Sequence, residues 1–173
     1  MSIQQFGLKE IKAEIKHYSD VQLADLCLRM AKYKKENKEL LAYLLFLSHD
    51  EAAFIDQVKS ESSLMFSQLS SHSYQAAKGL RKILRFINKQ IKFSASKQVE
   101  VELLLHFCRD YLDNVDRKAS YKPLRQILTR QLQKVKASIS KLHEDLQFDY
   151  RQEFDELLGD LGNKLLWFNI KDI

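Results

Sequence analysis

Glycine and proline are scarce in this chain, with four Gly and one Pro in 173 residues, where average usage supplies roughly 12 and 9. So few breakers exclude all-β folds with many tight turns, collagen-like segments and long disordered linkers. They also exclude the glycine-rich phosphate loops. Gly7, Gly79, Gly159 and Gly162 cannot make GxGxxG or GxxxxGK[ST] in any register. Cysteine is limited to Cys27 and Cys108. With no CxxC there is neither a disulfide framework nor a zinc-finger spacing, and both residues sit in apolar runs, which predicts reduced, buried thiols. Long apolar runs are also missing. The longest, residues 40–47, falls far short of the ~20 residues that a membrane crossing needs. The first six residues do not pair a charged start with an apolar stretch, so they do not read as a signal peptide, and the expected setting is cytoplasmic.

What the chain does have is helical periodicity. It is 45% hydrophobic and 29% charged, with a net charge of +5, which predicts a single all-helical domain over 1–173 with a core of its own. Residues 8–17 space Leu8, Ile11 and Ile15 for a first helix. Ser19 and Gln22 form a capping box, opening a helix with Leu23, Leu26, Met30 and Tyr33 on one face. Asn37 reads as the cap of a short apolar helix over 40–47, and Ser48 with Glu51 as a second capping box. After a serine-rich loop at 70–73, Ala77, Leu80, Leu84, Ile87 and Ile91 make the clearest buried stripe. A turn at 94–96 leads to an apolar, central helix over 99–112. Residues 114–122 read as a loop, with Pro123 in the first turn that follows. From Leu124 to Leu161 the pattern hardly pauses. A continuous helix of ~38 residues would be about 57 Å long, too long for a compact domain of this size, so a break is placed at 147–149. The tail around Leu165, Leu166, Trp167 and Phe168 is too apolar to float in water. At an offset of 61 residues, Leu23, Leu26 and Phe46 fall on Leu84, Ile87 and Phe107. Such self-similarity suits stacked helical hairpins, or a chance alignment of leucines.

No catalytic constellation stands out. Glu14 and His17 have the Glu-x-x-His spacing of di-iron bundles, but that site needs a second copy, which the chain lacks. Gln147 stands where HExxH, begun at His143-Glu144, would need its second histidine. His106 is expected to be a buried histidine bonded to Glu102, one turn earlier. No Gly-x-Ser-x-Gly elbow occurs. No enzyme activity, metal or cofactor is expected.

Charge is more informative. Residues 78–97 hold seven bases and no acid, and Lys78, Lys82, Arg85, Lys89 and Lys92 step by 4, 3, 4 and 3 along one helix face. Residues 117–141 hold eight bases and again no acid, and then 144–160 reverse sign, with seven acids against Arg151. An acid-free basic stripe can follow a phosphate backbone, meet an acidic protein surface or the chain's own acidic segment, or simply solvate a helix.

The run from Leu26 through Cys27, Met30, Tyr33, Lys34, Lys35, Glu36, Asn37 and Glu39 to Leu41 resembles a group of uncharacterised all-helical bacterial proteins of the Bacteroidetes type. The resemblance covers most of the chain. It implies a bacterial, cytoplasmic protein and brings no activity or site residues with it.

These observations predict an all-α fold of about seven antiparallel helices in an irregular, HEAT-like α–α stack, the alternative being a helical bundle. The expected role is a non-enzymatic binding or scaffold module. Lys78, Lys82, Arg85, Lys89 and Lys92, with Arg125 and Arg130, would dock an acidic protein partner or a second copy. Nucleic acid is the alternative ligand of the same face, and no membrane partner is expected.

Overall fold

A computed structural model describes residues 4–116, 118 and 120–173. Arg117, where the second basic run begins, lies outside them. The described residues form eight α-helices and no strand: α1 (Leu8–Ile15), α2 (Asp20–Tyr33), α3 (Lys35–Ala42), α4 (Glu51–Ser67), α5 (Ser73–Ser94), α6 (Lys97–Asn114), α7 (Lys122–Ile139) and α8 (Glu144–Lys164). A π-helical stretch, Tyr43–Leu47, follows α3, and a 3-10 turn, Ile170–Asp172, follows α8. The fold is all-α. None of the described helices is long and apolar enough to cross a membrane. The chain gathers into two compact units, Met1–Phe46 and Leu47–Ile173.

In the first unit the predicted capping box forms. The Ser19 amide donates to Gln22 Oε1 at 2.9 Å and the Gln22 amide donates to Ser19 Oγ at 3.4 Å. Asn37 differs from expectation. Lys34 adopts an extended conformation and α3 begins right after it, so Asn37 lies inside α3 and donates back to the Met30 carbonyl at 2.9 Å. It closes the end of α2 rather than starting a helix at Leu40. No residue of α1, α2 or α3 is buried. Met30 and Tyr33 are exposed, and so is Cys27, contrary to the buried thiol expected there.

The second unit holds the core. α4 starts at an Asp50 cap, whose carboxylate accepts from the Ala53 amide at 3.0 Å. The N-cap is therefore Asp50 and not the expected Ser48, which lies in a turn after the π-helical Tyr43–Leu47. α5 buries Ala76, Ala77, Leu80, Ile83 and Ile87, while Leu84 and Ile91 sit half-buried at the edge of the stripe. Ala95 closes α5 in the left-handed conformation, and Ser96 caps α6 by accepting from the Val99 amide. As predicted, α6 is central: it buries ten residues, Phe107 and Cys108 among them.

The long final pattern breaks, but earlier than expected. α7 ends at Ile139, and His143, in an extended conformation, starts α8. Gln147, at the predicted break, is helical, and its amide reaches back to the Leu142 carbonyl at 2.9 Å. The acids Glu144 and Asp145 in the first turn of α8 suit the positive end of the helix dipole. Within α8, a Cβ built on Gly159 meets nothing within 4 Å. Gly159→Ala is therefore expected to raise stability by about 0.5–1 kcal/mol, seen as a later urea midpoint. A lower midpoint would mean that this stretch of α8 is not helical in solution.

The helices of this unit form two layers. α6 packs between α4 and α8, and α5 packs beside α7. Paired residues rise together along α4 and α6 (Lys59 with Glu102, Ser63 with His106) and along α6 and α8 (Glu102 with Tyr150, Arg109 with Glu153). These three helices therefore run in the same direction. Alternate helices sharing a layer is the arrangement of stacked hairpins. The 61-residue offset does not extend to burial, since Phe46 is 68% exposed where Phe107 is fully buried.

Candidate functional site

The two layers differ in charge. α5 and α7 together carry eleven bases and no acid, whereas α4, α6 and α8 carry fourteen acids and five bases. Helical period explains how this arises without harming the core. On α5 the apolar residues recur every 3 or 4 positions on the buried side, and the bases recur at the same spacing on the opposite side.

Lys78, Arg81, Lys82, Arg85 and Lys92 are exposed, and Lys89 is half-buried with its ammonium 6.0 Å from the centre of the Phe93 ring. Lys78 lies 4.7 Å from the centre of the Tyr74 ring. Lys78, Arg81, Leu84, Arg85 and Asn88 line a shallow depression of 670 Å³. Arg81 was missed by the stripe pattern because it flanks the stripe rather than continuing it.

The two predicted α7 residues differ in their surroundings. Arg130 is exposed and lies within about 40° of Lys134, the residue that reaches α5, whereas Arg125 lies about 180° away and sits 5.2 Å from the centre of the Trp167 ring. Arg130 is on the side of α7 that Lys134 turns to α5, and Arg125 is on the side of the tail. Both border a 340 Å³ hollow with Lys122 and Trp167. The apolar tail folds back onto α7. Leu165 is buried, Leu166 is exposed, and Gln133 donates to the Asp172 carbonyl at 2.8 Å.

Lys134 is turned to structural use. Its ammonium donates to Asn88 Oδ1 and pairs with Glu100, each at 3.0 Å, and Lys97 reaches the same carboxylate at 2.6 Å. Burial by itself would raise the pKa of Glu100, but the hydrogen bonds from Lys97 and Lys134 outweigh it and hold the carboxyl below its ordinary range. One buried acid thus ties α6 to α7 and, through Asn88, to α5.

A buried thiol and a half-buried imidazole bear on catalysis. Burial pushes the Cys108 thiol up, which leaves it protonated and without nucleophilic character. His106 does not bond Glu102 as expected, since that carboxylate is taken by Lys59 and Tyr150. Instead Ser63 Oγ lies 2.9 Å from His106 Nε2 and donates to Asp110 Oδ2 at 2.8 Å, and the Lys59 carbonyl lies 3.3 Å from the same ring nitrogen. A carbonyl only accepts, so Nε2 is read as the protonated nitrogen. It then cannot take a proton from Ser63. In a serine relay the carboxylate holds the other ring nitrogen, whereas here Asp110 Oδ2 lies 3.3 Å from Nε2 itself. The cluster joins α4 to α6. His17 lies beyond the end of α1, and among the described residues no group of three metal-binding side chains occurs.

Compared with protein-family models, with curated proteins and with solved structures, the chain matches none of them, and its functional reading rests on its own residues.

Proposed function

We propose that the chain is a non-enzymatic binding or scaffold module that docks an acidic protein surface on the outer face of α5. Lys78, Lys82, Arg85, Lys89 and Lys92 form the docking stripe, with Arg130 as its extension on α7. The observation that supports this is the concentration of bases in one layer: α5 and α7 together carry eleven bases and no acid. Surface bases in such number raise encounter rates with acidic partners and favour one orientation of docking.

The test is a titration of a fluorescent glutamate-rich peptide at low and high salt, with Lys82→Glu/Arg85→Glu/Lys89→Glu as the comparison. The wild-type chain should bind at low salt, and the variant at least about tenfold more weakly. That would exceed the ~1.4 kcal/mol that a tenfold change represents. Equal binding by the two chains would overturn the proposal. A second reading, nucleic acid on the same layer, is favoured by one observation: Trp167 stands beside Lys122 and Arg130, and an aromatic ring next to bases suits a stacked nucleobase. An RNA oligomer that binds more tightly than the peptide, with a steep salt slope, would select that reading.

A further inference from the structure

The acidic surface of α8 is the mirror of the α5 stripe. Asp145, Asp149, Glu156 and Asp160 are all exposed. At 100° per residue they fall within about 60° of one another, on the side of α8 opposite the buried Phe154, Leu157, Leu158 and Leu161. From Asp145 to Asp160 the rise is about 22 Å, and from Lys78 to Lys92 about 21 Å. The two stripes match in length and are opposite in sign, the acidic one about 60° wide and the basic one about 80°. They lie on helices of different layers, each on the side away from its own core.

We propose that the partner of the α5 stripe is the α8 surface of a second copy of this chain. This inference rests on the docking role given to α5 above and names its ligand. The stripes belong to opposite layers, so one pair of copies uses one stripe of each and leaves the other two open. The contact is heterologous, joining copies head to tail. Inside the chain, Lys134 of the basic layer already pairs with Glu100 of the acidic layer, so the layers are complementary at their inner faces too. A single helix-on-helix strip is smaller than the ~800 Å² per partner of a standard stable interface. Association is therefore weak, concentration-dependent and driven by charge, and it is screened once the Debye length falls to a few ångströms.

The test is a charge swap followed by analytical ultracentrifugation. One variant carries Lys82→Glu/Arg85→Glu/Lys92→Glu, the other Asp149→Lys/Glu156→Lys/Asp160→Lys, with circular dichroism to show that both are folded. At low salt the weight-average mass of the wild-type chain should rise with concentration above 20.4 kDa and return to it in about 0.5–1 M salt. Each variant alone should remain at the monomer mass, and an equimolar mixture should regain the association. A wild-type chain that stays monomeric, or a mixture no more associated than its components, overturns the proposal. So does self-association that survives in either variant. The α8 variant keeps its α5 stripe. If it binds the glutamate-rich peptide while the swap fails, only the second-copy inference falls; if it does not, the docking role of α5 falls too.

Discussion

Replacing Phe107 with alanine should cost the protein about 3–5 kcal/mol, the usual loss for truncating a fully buried phenylalanine. Phe107 is fully buried on α6, with its ring centre 5.2 Å from that of Phe66 on α4. The substitution removes both the transfer energy of the ring and the tilted ring-on-ring contact, which adds about 0.5–1.5 kcal/mol. α6 packs against α4, α5, α7 and α8, so the cavity opens where every helix of the second unit converges, and none can close it without leaving another neighbour. A loss of this size is a large part of a typical domain's 5–15 kcal/mol. Urea unfolding should show a much lower midpoint. Phe148→Ala is the control: Phe148 is 72% exposed, and its loss should change stability by no more than about 0.5 kcal/mol. Comparable effects from the two substitutions would refute the central place of α6.

The second large effect is expected at Glu102. Its carboxylate pairs with Lys59 of α4 at 3.0 Å and accepts from the Tyr150 hydroxyl of α8 at 2.7 Å, so one side chain joins the three helices of the acidic layer. Burial pulls its pKa upward, but the bonds from Tyr150 and Lys59 outweigh burial and hold the carboxyl below its ordinary range. Burial also pushes the Tyr150 hydroxyl up, as does its bond to Glu102, so it remains a donor. Glu102→Ala strands a partly buried ammonium and a hydroxyl and should cost about 2–3 kcal/mol. Glu102→Gln keeps the shape and can still accept from Tyr150, so it should cost less. The pH dependence has a definite sign. A carboxyl whose folded pKa is depressed adds stability that is present above its unfolded value, 4.5, and is lost as pH falls through the folded value. Acid should therefore destabilise the wild-type chain below about pH 4.5, with Glu100 contributing in the same direction. Glu102→Gln should flatten that limb. An unchanged acid limb in the variant would show that Glu102 is not ionised in the folded state.

The sequence alone determined that the chain is helical, that α6 lies at the centre, and that Ser19, Pro123 and residues 94–96 mark helix starts and turns. Each of these follows from local chemistry: few breakers, hydroxyls and amides at cap spacing, and apolar residues every 3 or 4 positions. The basic stripe of α5 was legible for the same reason, because residues that share a face of one helix are fixed by its period.

Tertiary structure decided whatever depends on which element lies beside which. Asn37 looks like a cap from its neighbours, yet the Met30 carbonyl, seven residues back, claims its amide. Glu102 sits one turn from His106, but Lys59 and Tyr150, some 45 residues away on either side, lie closer. Arg125 has an aromatic neighbour that nothing along the chain announces, because the returning tail places Trp167, some 40 residues on, 5.2 Å from its guanidinium. The basic and acidic runs can be read along the chain, but not their sorting into layers, because acidic and basic helices alternate in sequence. They sort into layers only when α5 packs beside α7 and α6 packs between α4 and α8.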